Sequence, residues 1–289
     1  MTSLGEAVAN ARTRFDAAGL SDAAMEARIL IAGLLGLTAT EAFAHAERSL
    51  TETEAALIDR SVERRLKREP VHRILGVRDF YGMTLTLSRE TLEPRPDTEI
   101  LVESLLPKLR RIVAEKGKAR VLDLGTGTGA IALALLKECP EAQAVGTDVS
   151  EDALRTAQDN AQRAGVAERF EGIRSDWFTA ICGRFDIIVS NPPYIKEEVI
   201  ASLEPEVRDF DPHRALNGGL DGLDAYRAIA SGAGAFLEGD GLVGVETGFD
   251  QKNSVTQIFA VSGFALQQAV RDYGDNDRVL LFAPVSPGP

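Results

Sequence analysis

The chain has 289 residues, 44% of them hydrophobic and 26% charged, which suits a globular protein with a small domain beside a nucleotide-binding one. It holds no run of about 18 apolar residues, which argues against a transmembrane helix, and Met1 to Asn10 lack the basic-then-apolar pattern of a signal peptide. The net charge of −12 disfavours nucleic acid, whose phosphates need clustered Lys and Arg, and Cys139 and Cys182, far apart in sequence, suggest no disulfide framework and a reducing cytoplasm.

Residues 1–76 read as a small helical bundle. Ser21 is placed to cap a helix through Met25, Ile29, Leu30 and Leu34. Thr51 and Glu54 have capping-box spacing and open a second helix carrying Leu57, Ile58, Val62 and Leu66, which Pro70 stops. The basic residues of this part gather at Arg64, Arg65, Lys67, Arg68 and Arg73. They form either a solvated helix face or a docking edge for an acidic partner.

Residues 77–93 read as a β-hairpin linker, with Val77, Phe80, Met83, Leu85 and Leu87 around Tyr81-Gly82. Pro94-Arg95-Pro96 then fixes the backbone, and Asp97 is placed to cap a helix from about Thr98 to Ala114. From Ala119 onward strands alternate with helices. Strands are expected at Arg120–Leu124, Ala144–Asp148, Phe170–Arg174, Asp186–Ser190, Gly241–Thr247, Phe264–Arg271 and Arg278–Ala283. Helices are expected at Ala130–Glu138, Glu151–Ala164, Leu223–Leu237 and Gln251–Val261. This alternation predicts an α/β domain over 94–289 with a mostly parallel, seven-stranded sheet covered on both faces. The last two strands have no helix between them and suit an antiparallel edge pair.

Three signals fall at the carboxyl ends of the first three strands of this domain, where α/β sheets bind ligands. The first is Gly125-Thr126-Gly127-Thr128-Gly129, whose spacing is not that of the dinucleotide loop. The second is Asp148, either an acceptor for both ribose hydroxyls of a nucleoside or the N-cap of the next helix, a task Ser150 could take instead. The third is Ser175-Asp176-Trp177, in which Asp176 could accept an adenine amino group. Trp177 could pack on the ring or simply fill the core. Together they resemble the Rossmann-like class I S-adenosylmethionine-dependent methyltransferases.

The fourth strand ends in Asn191-Pro192-Pro193-Tyr194, which resembles the motif of methyltransferases acting on planar amino groups. Such a nitrogen is a poor nucleophile because its lone pair is delocalised. The Asn191 side-chain oxygen and the Pro192 carbonyl can accept its two N–H bonds, and Tyr194 can stack on its flat face. Holding the nitrogen in line with a methyl donor supplies much of the rate. His45, His72 and His213 are dispersed, so no metal site is expected. No Gly-x-Ser-x-Gly elbow occurs.

Further stretches carry a closer resemblance. Glu206-Val-Arg-Asp-Phe-Asp-Pro212, Ala215-Leu-Asn-Gly-Gly-Leu-Asp-Gly, Val245-Glu246-Thr-Gly248 and Arg271-Asp-Tyr-Gly-Asp-Asn-Asp-Arg278 are similar to the release factor glutamine methyltransferases, from about residue 65 to 283. The resemblance implies methylation, by S-adenosylmethionine, of the side-chain amide in the Gly-Gly-Gln loop of class I peptide chain release factors, in the cytoplasm. It implies a substrate-docking role for residues 1–76. It also implies cofactor binding by Gly125, Thr126, Gly127, Thr128, Gly129, Asp148, Trp177 and Asn191, and binding of the glutamine amide by Asn191, Pro192, Pro193 and Tyr194, with Asn191, Pro192 and Tyr194 catalytic. Pro94 to Glu99 would lie near the methionine end of the cofactor. Where the family more often has Glu, this chain has Asp97. The ribosomal-protein glutamine methyltransferases share most of these motifs, but the Arg271–Arg278 ending favours the release factor branch. A DNA adenine methyltransferase would need a target-recognition domain that an acidic chain with no spare residues does not offer. A non-catalytic cofactor-binding module would not need an intact Asn191-Pro-Pro-Tyr.

Overall fold

The computed structural model describes residues 2–285. The chain divides into two compact units. One holds the chain up to Val77 together with Glu204–Phe210, and the other holds Arg78–Leu203 and the described residues from Asp211 onward.

The N-terminal stretch of the first unit, up to Val77, contains five helices: α1 (Leu4–Ala17), α2 (Ala23–Leu34), α3 (Ala39–Ala44), α4 (Glu52–Leu66) and α5 (Val71–Leu75). Its core is built from Leu4, Phe15, Leu30, Ile31, Ile58 and Val62, all almost fully buried. Thr51 and Glu54 form the expected capping box. Ser3 with Glu6 and Thr38 with Glu41 form two more, so three of the five helices begin by satisfying their own free N–H groups. Ser21 does not cap α2. Asp22 precedes the helix instead, in the left-handed region at φ 57° and without a side-chain cap bond, a conformation that Asp tolerates better than most residues.

Part of the basic cluster is engaged within the unit, while Arg64 and Lys67 stay exposed. Arg65 is buried, and its guanidinium donates to Glu26 Oε2 at 2.7 Å and to Glu206 Oε1 at 2.9 Å. Arg68 pairs with Glu206 at 2.9 Å and Glu204 at 3.3 Å, and Arg64 with Glu69. These arginines hold the Glu204–Phe210 strip, including the short helix α10 (Pro205–Arg208), within the helical unit.

A hairpin of β1 (Val77–Phe80) and β2 (Met83–Thr86) begins at the boundary, with all but Val77 in the second unit. Tyr81 and Gly82 both have positive φ, 49° and 67°, the geometry of a two-residue turn that matches strand twist. Helix α6 (Thr98–Lys116) follows. Asp97 does not cap it: its backbone is already helical, at φ −60° and ψ −28°, and no side-chain cap bond forms. Its carboxylate lies 3.6 Å from Arg278.

The sheet comprises β3 (Ala119–Leu124), β4 (Ala142–Asp148), β5 (Phe170–Arg174), β6 (Phe185–Ser190), β7 (Leu237–Glu246), β8 (Phe264–Arg271) and β9 (Asp277–Pro284), in the order β5-β4-β3-β6-β7-β9-β8. Strands β3 to β7 pair in parallel, and β9 lies antiparallel between β7 and β8. The expected edge pair is therefore present. β7 begins four residues earlier than the alternation suggested, because its pairing with β6 is irregular between Phe185 and Ile187. Alternate residues serve opposite faces. Val121, Ile187 and Val189 join α6 and α7 (Ala130–Glu138) in one core. Leu122, Ile188 and Val243 join α12 (Asp224–Phe236) and α13 (Lys252–Val261) in another. The remaining helices are α8 (Glu151–Arg163) and the single turns α9 (Glu197–Ile200) and α11 (His213–Leu216).

Candidate active site

In the strand order, β3 leads outward to β4 and β5 on one side and to β6 on the other. Such a reversal opens a crevice beyond the carboxyl ends of the strands. A cleft of about 760 Å³, including the open space at its mouth, lies there. Gly125 and Gly127 from the loop after β3, Asp148 from β4, Trp177 after β5, and Asn191 and Pro193 after β6 all line it.

Each wall has a local cause. Gly125 and Gly127 have φ of 70° and 54°, and a Cβ on either would meet no protein atom within 4 Å. Both leave backbone open to a ligand that a side chain would obstruct. Asp148 accepts from the Gly127 N–H at 3.1 Å and the Ser150 N–H at 2.9 Å. The helix-cap task falls to Ser150, whose hydroxyl accepts from Ala153 N. Asp148 is thus free to face the cleft, where burial raises its pKa against the pull of the Ser150 and Gly127 N–H bonds. Trp177 sits in the left-handed region at φ 48°, partly buried against the second core. Ser175 ties its turn by donating to Trp177 O and accepting from Ala180 N.

Other residues named from the sequence lie behind the lining. The Thr126 hydroxyl donates to Asp123 at 2.8 Å. Thr128 is buried, and its carbonyl accepts from Asn160. Gly129 precedes α7, and a Cβ there would press on Leu133 and Ala157. Pro192 is buried. Tyr194 donates its hydroxyl to Glu246 Oε1 at 3.3 Å, and its carbonyl accepts from Gln251.

The sequence reading missed several contributors. Asn160 is fully buried on α8. It bonds both backbone groups of Thr86 in β2 and the carbonyl of Thr128, so one amide ties the hairpin to the glycine loop. Its position among Ala153, Ala157 and Ala161, on the buried face of α8, was a usable signal. Glu246 ends the apolar run Leu242–Val245 with almost no exposure, and burial raises its pKa. It accepts from the Thr98 hydroxyl at 2.6 Å, and Thr98 accepts from Asn191 Nδ2 at 3.1 Å. Glu90 and Arg214 also line the cleft and face each other at 3.7 Å. No periodicity marks that pair.

The chain is similar to known proteins over most of its length. Residues 6–76 match the PrmC N-terminal domain, and residues 96–203 match the Methyltransferase small domain. A release factor glutamine methyltransferase from Agrobacterium fabrum is 58% identical over 272 residues, covering 94% of each chain. The chain belongs to the release factor glutamine methyltransferase family. Another relative of that name, from Rhodospirillum rubrum, is 42% identical over 99% of this chain and 86% of its own. A solved methyltransferase from Pyrococcus furiosus shares the fold at 18% identity, with a TM-score of 0.51 over 70% of this chain and 88% of that one. The family's cofactor is S-adenosylmethionine, and this cleft fits it: bare glycine backbone on one wall, a carboxylate with acceptor capacity to spare on the next, and an indole beside it.

Proposed function

We propose that this chain transfers a methyl group from S-adenosylmethionine to the side-chain amide nitrogen of the glutamine in the Gly-Gly-Gln loop of class I peptide chain release factors. The observation that carries the reading is that Asn191 and Pro193 line the same cleft as Gly125, Gly127, Asp148 and Trp177. Amide-gripping and nucleoside-binding groups thus open on one space.

In this reading the glycine loop takes the amino-acid end of the cofactor, Asp148 the ribose hydroxyls and Trp177 the adenine face. When bound, the cofactor supplies an electrophilic methyl on a sulfonium. Asn191 Oδ1 and the Pro192 carbonyl accept the two N–H bonds of the glutamine amide, which holds the nitrogen in place and raises its electron density. Pro193 closes the turn against the cleft. Orientation does most of the work, because the reactants meet already aligned. The helical unit engages the body of the release factor. We place the protein in the cytoplasm with its substrate. No helix among the described residues is long and apolar enough to cross a membrane, and both cysteines are unpaired.

The test is mass spectrometry of purified release factor after incubation with the protein and S-adenosylmethionine. A ribosomal protein with a methylatable glutamine and duplex DNA serve as parallel substrates. One methyl on the Gly-Gly-Gln glutamine alone is the expected result. Label on either of the others, with none on the factor, overturns the substrate assignment.

A further inference from the structure

We propose that Thr98 and Glu246 are positioning residues for this reaction, which lock the Asn191 amide with its oxygen toward the substrate. The inference rests on the amide-gripping role given to Asn191 above and adds what orients it.

A hydroxyl has one proton to donate. Thr98 gives it to Glu246 Oε2 across 2.6 Å, the short separation of an O–H bond to a carboxylate. Towards its other neighbour Thr98 can therefore only accept. The Asn191 atom 3.1 Å from the hydroxyl must be a donor, and Nδ2 occupies that place. Oδ1 is thereby left on the opposite side of the same planar group. The reversed amide would set Oδ1 against an oxygen with no proton left to give. It would also turn two N–H bonds toward a substrate nitrogen that presents N–H bonds of its own. Catalysis needs an acceptor there, and the chain of bonds supplies one.

Burial gives the chain its authority. Thr98 is 3% exposed and Glu246 1%, so water cannot stand in for either. Glu246 spends its second oxygen on the Tyr194 hydroxyl. One buried carboxylate thus holds Asn191 through Thr98 and holds Tyr194 directly, the two ends of the Asn-Pro-Pro-Tyr turn. Thr98 begins α6 and Glu246 ends β7, so both anchors sit on rigid elements rather than on the loop they orient.

The experiment compares steady-state methylation of a release factor by the wild type, Thr98→Val, Thr98→Ser, Asn191→Ala and the Thr98→Val/Asn191→Ala double variant. Cofactor affinity is measured in parallel by calorimetry. Thr98→Val should lower kcat by roughly 10- to 100-fold, less than the ~100- to 1,000-fold for removing a transition-state hydrogen bond outright, because Asn191 is misdirected and not lost, and leave cofactor affinity within about threefold. Thr98→Ser should recover most of the rate. In the Asn191→Ala background Thr98→Val should cost little more, because it acts through a side chain already gone. A Thr98→Val enzyme with wild-type kcat overturns the proposal while Asn191→Ala remains impaired, and so do losses that multiply in the double variant. Wild-type turnover by Asn191→Ala would instead sink the amide-gripping role itself. Should Thr98→Val not fold, NMR of the wild-type protein decides. The Asn191 side-chain NH2 protons should show a contact with the Thr98 side chain, and its absence overturns the proposal.

Discussion

Two carboxyl groups near the ends of neighbouring strands illustrate how differently one residue type behaves in different surroundings. Asp148 opens to the cleft and keeps acceptor capacity for a ligand. Asp148→Ala should weaken cofactor binding by roughly 1–3 kcal/mol through lost hydrogen bonds, and unchanged affinity by calorimetry would place the ribose elsewhere. Asp123 is buried, with one oxygen accepting from Thr126 and Ala132 N and the other without a partner. Burial pushes its pKa up to about 7 from an ordinary 3.8. A carboxyl raised in the folded state binds its proton more tightly there than in the unfolded chain. Its contribution to stability is full below about pH 4 and is lost as pH rises through about 7. Asp123→Asn should flatten the pH dependence of thermal unfolding across that window, and an unchanged profile would refute the shift. The position of Asp123 inside Val-Leu-Asp-Leu was legible, but its state was not, since that depends on which neighbours bury it.

The elements were largely readable because their signals are local. Glycine, proline and capping residues punctuate periodic apolar runs, so the strands β5 and β8 and the helix α7 fall on the expected residues. Where the expectation failed, Ser21 lies one residue before the actual cap position, which Asp22 holds, and Asp97 already has helical backbone angles. Bonds between elements were hidden. Asn160 reaches Thr86 across 74 residues, and Thr98 reaches Glu246 across 148, and no spacing rule links positions so far apart. The Asn160 knot has a measurable worth. Asn160→Ala would leave the two backbone groups of partly buried Thr86 and the buried Thr128 carbonyl without this partner, a loss of about 3 kcal/mol. Urea titration would register it, and a change under about 1 kcal/mol would mean that water or a shifted loop replaces the amide.

Across the whole chain, division into a helical part and a sheet part was visible in the change of period near residue 77, but the return of Glu204–Phe210 to the helical unit was not. That return depends on Arg65, 141 residues from Glu206. Arg65→Ala leaves Glu26 and Glu206 facing each other without their shared cation and should cost about 3 kcal/mol in denaturant. Adding Glu26→Gln and Glu206→Gln should restore part of it. A triple variant no better than the single one would show that the arginine stem, not its charge, does the holding. For the same reason, reversing Arg64, Arg65 and Arg68 together would test the fold of the unit rather than a docking edge.

The backbone therefore passes between the two units at Val77, again at Leu203, and a third time at Phe210. Recombination between relatives is constrained by this path. A crossover at residue 77 would set one parent's Arg65 and Arg68 against the other parent's Glu204–Phe210 strip, a contact that a boundary drawn on sequence alone would not flag. Hybrids that carry the strip along with the first 77 residues keep both sides of these ion pairs from a single ancestor.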